Sequence, residues 1–184
     1  RGRKSGWYVV RSFDRSDGEC IVVGCWGNYR AGIDAQKISV SGMGLDPGER
    51  AAMREQARLA KKQANQRRAR DAKRAADRAL SAWRKCSARD AAQHPYLVRK
   101  EVGAYGVRLS PKGALLIPIL AADGNLHGLQ VIRDHPPKGI REKDYWPAGM
   151  DKRGCFHLLG IPDGLILVCE GYATAATLHA ATGY

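Results

Sequence analysis

No apolar run in these 184 residues approaches the ~20 that a membrane-spanning helix needs, and no signal peptide is visible in them. Cysteine is sparse and odd in number. The five, at positions 20, 25, 86, 155 and 169, do not form the paired framework of a disulfide-stapled secreted domain, so a reducing, cytoplasmic setting is expected. Cys20 and Cys25 are spaced as two zinc ligands could be, but no second Cys/His pair follows at a suitable interval. A structural zinc needs four ligands, so packing in a hairpin is the expectation. Acidic residues are also few: 18 Asp and Glu stand against 31 Lys and Arg, a formal net charge of +13. That imbalance favours an acidic partner, nucleic acid first and an anionic membrane surface second.

What is present begins with a basic arm, residues 1–4, expected to be mobile. Residues 6–13 and 19–26 are rich in β-branched and aromatic side chains and flank a polar, glycine-ended connection, which predicts a hairpin. Residues 36–40 suit a third strand. The aromatics Trp7, Tyr8, Phe13, Trp26 and Tyr29 could stack on bases, as on single-strand-binding sheets, but the commoner role of such residues is the core of a small sheet, and core is the expectation.

Asp46-Pro47-Gly48-Glu49 is a helix start: a capping Asp, Pro at the first helical position and a Glu placed to close a capping box. From there to about Ala92 neither glycine nor proline interrupts, which predicts one long helix with a thin, alanine-lined apolar stripe. Between Asp46 and Ala92 fourteen Lys and Arg oppose six Asp and Glu, so eight of the thirteen excess charges sit here. The basic residues encircle the helix instead of lining one face. This favours a solvated spacer with incidental DNA contact over a dedicated arm along a phosphate backbone.

Pro95 breaks the helical pattern and a second globular part follows. Residues 114–120 and 126–132 read as two strands joined by Ala121-Ala122-Asp123-Gly124-Asn125, with Pro118 implying an edge or a bulge. His94 and His127 read as satisfied surface or turn histidines. Residues 133–152 read as loop-rich, with the cations Arg133, Lys138, Arg141, Lys143 and Lys152, and Arg153 just beyond, suited to a triphosphate or a template backbone.

The chain is organised around Leu165-Ile166-Leu167-Val168-Cys169-Glu170-Gly171, followed by an alanine-rich run. Five apolar residues without polar alternation predict a strand buried on both faces of a parallel sheet, then a crossover helix. Glu170 falls at the carboxyl end of that strand, where ligands collect in open parallel sheets, and Gly171 is expected to make the turn tight. The plainer alternative for Glu170 is a solvated acid beside a helix N-terminus.

The string Glu170-Gly171-Tyr172-Ala173-Thr174-Ala175 resembles the EGYATA motif of toprim-type DNA primases of plasmid and phage origin, relatives of the DnaG catalytic core. Leu116-Ile117-Pro118-Ile119, Asp123-Gly124, Gly128-Leu129-Gln130-Val131-Ile132 and Phe156-His157-Leu158-Leu159-Gly160 are similar to the subdomain that precedes toprim in these enzymes. Lys143-Asp144-Tyr145-Trp146-Pro147 is similar to their lysine-bearing stretch beside the nucleotide site, departing from DnaG sequences at Asp144 and Trp146. The resemblance implies template-directed primer synthesis by metal-dependent nucleotidyl transfer. Glu170 and Lys143 are then the catalytic candidates and Glu170 the metal ligand. Arg133, Lys138, Arg141, Lys152 and Arg153 are candidate nucleotide and nucleic-acid contacts, Mg2+ or Mn2+ the cofactor, and a single-stranded DNA template and nucleoside triphosphates the partners. A replicative helicase is left open as a further partner, and no membrane is implied.

Toprim proteins also use an Asp-x-Asp pair that does not occur after Glu170 here, and Asp163 would lie at the opposite end of the expected strand. The chain is therefore expected to be the N-terminal portion of such a primase, with an incomplete toprim unit and no activity alone. The alternatives are a non-catalytic DNA-binding module and another toprim enzyme such as a nuclease. The expected fold is α+β: a β-hairpin leader module over 1–45, a long basic helix over 46–93, a pre-toprim subdomain over 94–160, and from 161 to 184 the first strand-helix unit of a toprim fold.

Overall fold

The structure is a computed structural model that describes residues 5–14, 18, 20–28, 30–39, 46–162 and 164–184. The architecture is α+β, with two antiparallel sheets, a long helix and a C-terminal helix. The chain forms two compact units, residues 1–64 and 65–184. The basic arm at 1–4, most of the first hairpin turn, Tyr29, Val40 and Asp163 lie outside the described residues, as does the side chain of Phe13.

In the first unit, β1 (Gly6–Asp14), β2 (Cys20–Asn28) and β3 (Ile33–Ser39) pair in sequence order. The expected hairpin and third strand are both present. The expected aromatic core is not: Tyr8 is 77% exposed and Trp26 39%. A three-stranded sheet can hide only the face that something covers, and here Ile21 is the one buried apolar side chain among the described strand residues. Cys20 and Cys25 both lie on β2, five positions apart, so they point to opposite faces of the sheet and cannot ligate one ion.

Helix α1 (Pro47–Trp83) starts as its sequence dictates. Asp46 Oδ1 accepts from Gly48 N at 2.6 Å and Glu49 N at 2.9 Å, while Glu49 Oε2 accepts from Asp46 N at 3.0 Å, a closed capping box. At 37 residues it runs about 55 Å. It stops nine residues before the expected Ala92, although no breaker stands in the sequence. The cause is tertiary: Ser87 exchanges backbone hydrogen bonds with Leu109, and Arg108 donates to the terminal carbonyl of Trp83 at 3.1 Å with its guanidinium over the Trp83 ring. Pairing to a strand edge takes the backbone that a further helical turn would need.

The second unit is built on β4 (Arg108–Leu109), β5 (Leu115–Leu120), β6 (Leu126–Ile132) and β7 (Lys143–Trp146), again antiparallel and in sequence order. The 121–125 turn closes as its residues predict, with Asp123 Oδ1 accepting from Asn125 N at 3.0 Å and Gly124 at a φ of 80°. Pro118 is tolerated because β4 ends opposite Leu115 and Leu116, leaving that edge of β5 open, and because the register shifts next to it, between Ile119 and Leu120. The stretch read as loop contains β7: its alternation was masked by charged neighbours, and it forms because Trp146 joins Leu116, Leu129 and Val131 on one face of the sheet, with Ala79 and Trp83 of α1.

The other face of the sheet packs Leu115, Ile117 and Ile132 against Tyr96 and Leu97 of the short helix α2 (Pro95–Lys100) and Tyr172 and Ala176 of α3 (Tyr172–Thr182). α1 and α3 thus cover opposite faces. The expected buried parallel strand at 165–169 does not form. Leu165 makes at most a single bridge and 166–169 have no regular structure, with Ile166 62% and Val168 91% exposed. A parallel strand is buried only by neighbours on each side, and both described sheets are antiparallel and pair elsewhere.

Candidate functional site

The elbow between residues 165–169 and α3 carries Glu170, whose side chain is exposed on the rim of a groove of about 720 Å³. The floor comes from Ile117, Ile119, Gln130 and Tyr145 on the sheet, and the walls from residues 155–159, 161–162 and 165–169 and the first turns of α3. Glu170 is the acidic residue among the lining groups. Gly171 is not there for a tight turn. Its φ of −140° and ψ of 152° are extended backbone open to any residue, and a Cβ would meet no atom within 4 Å. The expectation of a glycine-dependent turn is therefore corrected: the elbow is an ordinary extended-to-helix junction.

What fixes the elbow is Tyr172, a residue the sequence reading quoted but gave no role. Its hydroxyl donates to Gly103 O at 2.8 Å and accepts from Tyr105 N at 2.7 Å. The ring lies in the core with Leu97, Leu115 and Ile117, and burial pushes its pKa up to about 12. Two residues earlier stands Glu170, so the carboxylate hangs from a helix start nailed to the 103–105 loop. The available signal was a lone tyrosine in an alanine-rich helix, too large for a solvated stripe.

Among the candidate cations, Lys143 and Lys152 are placed against aromatic rings on the Glu170 side of the sheet. Lys143 pairs across from Ile132 and Tyr145 from Gln130, so both side chains share the face that forms the groove floor. The Lys143 ammonium donates to Tyr96 Oη at 3.2 Å and sits 4.6 Å from that ring. Lys152 places its ammonium 4.5 Å from the ring of Tyr145, itself a groove residue. Tyr96 and Tyr145 had not been singled out, because nothing in sequence marks which aromatic will lie under a lysine.

The other candidates sit further out. Arg133 and Arg141 are joined at the base of the β6–β7 connection, where an Arg133 guanidinium nitrogen donates to Arg141 O at 3.2 Å. Lys138 is exposed at the tip of that connection, and Arg153 is exposed in a turn closed by Asp151. None of these four lines the groove. Arg99, which the sequence reading passed over, pairs with Glu142 at 2.9 Å beside the Lys143 and Tyr96 contact.

Two histidines are tied into this half of the molecule. His157 has Nδ1 3.2 Å from Pro118 O and Nε2 3.1 Å from Tyr105 O, bridging the open edge of β5 to the loop that holds Tyr172. Burial lowers its pKa, although both carbonyls pull the other way. His94, expected as a satisfied surface or turn histidine, sits at the turn that starts α2 but is buried: it is 4% exposed, its Nδ1 accepts from Tyr96 N at 3.2 Å to cap the helix, and its Nε2 has no partner. Burial lowers its pKa as well.

With that geometry in place, the chain can be set beside known proteins. It is similar to a DNA primase. All of it aligns, at 32% identity over 193 positions, with DNA primase TraC of Escherichia coli, and it spans 17% of that protein's length. No family profile matches the chain, and no solved structure matches it. The alignment covers both units, the capped helix and the Glu170 elbow alike, so the relationship to a primase runs through the whole chain and not only its motif.

The expected divalent cation would need more than these residues offer. Mg2+ and Mn2+ take about six oxygen ligands. Among the described residues no group of three or more His, Cys, Asp or Glu converges on one point, and Glu170 is a single carboxylate. The described residues thus supply one ligand and not a site.

Among the described residues no helix is long and apolar enough to cross a membrane.

Proposed function

We propose that the chain is the N-terminal part of a DNA primase that joins nucleoside triphosphates on a single-stranded DNA template in plasmid or phage replication. One observation carries this reading: the similarity to TraC, which takes in all of this chain, coincides with a primase-like motif whose Glu170 is held, through Tyr172, on the rim of a groove. Primer synthesis joins a 3′-hydroxyl to an α-phosphate and expels pyrophosphate, and negative charge must be neutralised around that phosphorus. Lys143, set on the Tyr96 ring, and Lys152, set on that of Tyr145, would supply fixed positive charge on the Glu170 side of the sheet. Arg133, Lys138, Arg141 and Arg153, on the outer turns, would follow the template backbone. Glu170 would contribute one ligand to Mg2+ or Mn2+, the others coming from nucleotide phosphates and from acids outside these residues. Toprim-type organisation, cytoplasmic location and contact with a replicative helicase belong to the same proposal.

The test is nucleotide incorporation on a single-stranded template by the natural protein that contains this chain. Glu170→Gln is expected to abolish synthesis while leaving template binding within about twofold. Unchanged synthesis by that variant would overturn the catalytic reading. Binding steep in salt with no synthesis under any divalent metal would favour a non-catalytic module that uses the basic surface of α1.

A further inference from the structure

The sheet of the first unit has one partly covered face, on which Val9 is still 45% exposed, and one bare face. On the partly covered side Ile21 is buried and the indole of Trp7 lies over Gly27, where a Cβ would come within 2.7 Å of the ring nitrogen. On the other side the register sets Tyr8 directly across from Trp26, Val10 across from Gly24 and Ser12 across from Val22, with Ile38 of β3 completing the row beside Gly24. Tyr8 at 77%, Val10 at 52%, Ile38 at 43%, and Trp26 and Val22 at 39% are all exposed. Gly24 contributes no side chain at the centre of this row. The result is a flat apolar floor with two adjacent aromatic rings at one end.

We propose that this face is a stacking platform for the bases of single-stranded nucleic acid. Aromatic side chains displayed side by side on a sheet match the flat π-faces of unpaired bases, which no duplex offers. Charge is compatible with the same occupant: the chain carries +13, none of the floor residues is charged and Arg30 stands exposed in the β2–β3 turn at the aromatic end, while Asp14 lies at the far end and Lys37, paired with Cys25, is on the opposite face. A polyanion with stacking bases and an acidic backbone fits an uncharged aromatic floor on a strongly basic chain. The platform needs neither Glu170 nor nucleotide transfer, so it stands or falls separately from the proposed synthesis.

The experiment uses the 184-residue chain and a short oligodeoxythymidylate, with binding read by fluorescence anisotropy at fixed low salt. Tyr8→Ala and Trp26→Ala are each expected to weaken binding on the order of tenfold or more, with Tyr8→Phe close to the parent. The slope of affinity against salt should stay the same in all three, because the phosphate contacts are untouched. Since Tyr8 is almost wholly exposed, circular dichroism of its variants should overlay the parent. Parent-like binding by both alanine variants would overturn the proposal. So would a chain that self-associates, becomes monomeric on Tyr8→Ala and binds the oligonucleotide unchanged, since the face would then be an interface between two copies.

Discussion

The hydroxyl of Tyr172 sits 2.7 Å from the backbone nitrogen of Tyr105, tying the first residue of α3 to a loop 67 positions earlier in the chain. That bond, with its partner to Gly103, converts a motif tyrosine into the part that aims a neighbouring carboxylate.

Tyr172→Phe is expected to keep the ring in the core and leave the Tyr105 N–H and the Gly103 carbonyl without their partner. An unsatisfied buried polar group costs about 1–3 kcal/mol. Urea denaturation should show a loss in that range, and any activity that depends on Glu170 should fall with it. A midpoint equal to the parent's would mean that the phenol holds nothing in place.

Lys143→Met is expected to change stability by less than about 1 kcal/mol, because the ammonium is exposed where it meets Tyr96. Nucleotide incorporation by the natural protein should nonetheless drop at least tenfold if the lysine serves phosphate. Loss of synthesis with parent-like melting assigns the lysine to the site, and loss of both assigns it to the fold.

Stability should decline on mild acidification. His157 and His94 both have pKa values lowered from 6.5 by burial, so the unfolded chain binds protons more readily than the folded one. Their contribution is complete above the unfolded value of 6.5 and is lost as pH falls through the lower folded values. His94→Asn keeps an acceptor for the α2 cap and removes one of the two titrations, so the slope of urea midpoint against pH below about 6.5 should flatten. An unchanged slope would show that His94 does not titrate differently in the two states.

Asp46→Ala removes the acceptor for Gly48 N and Glu49 N at the start of α1. A lost N-cap costs about 0.5–2 kcal/mol, felt first in the nearby turns. Amide hydrogen exchange should speed up over the first two turns of α1 and stay unchanged around Ala75 and Ala79, where the helix is buried against the sheet.

Much of the local structure was legible because it depends on neighbours in sequence. The Asp46 capping box, the 121–125 turn and the strands on either side of it each need only a few adjacent residues to hold. The α3 helix likewise followed from its alanines. The candidate acid was legible too, since Glu170 lies within six consecutive residues that resemble a known motif.

Where the reading failed, a distant partner decided the outcome. α1 stops at Trp83 because Leu109 takes Ser87, and β7 forms because α1 and β6 leave a place for Trp146. Residues 165–169 have the composition of a buried strand yet 165–168 stand exposed, because burial requires flanking strands that composition does not specify. The same holds for Tyr8 and Trp26: the side chains are those of a core, and only the sheet's open face makes them a surface. Sequence alone determined the caps, the turns, the charge and the identity of the acid, all set within a few bonds of one another. Tertiary structure alone decided which apolar residues are covered, which lysine lies on which ring and what holds Glu170 in place, because each of those depends on atoms brought together from tens of residues apart.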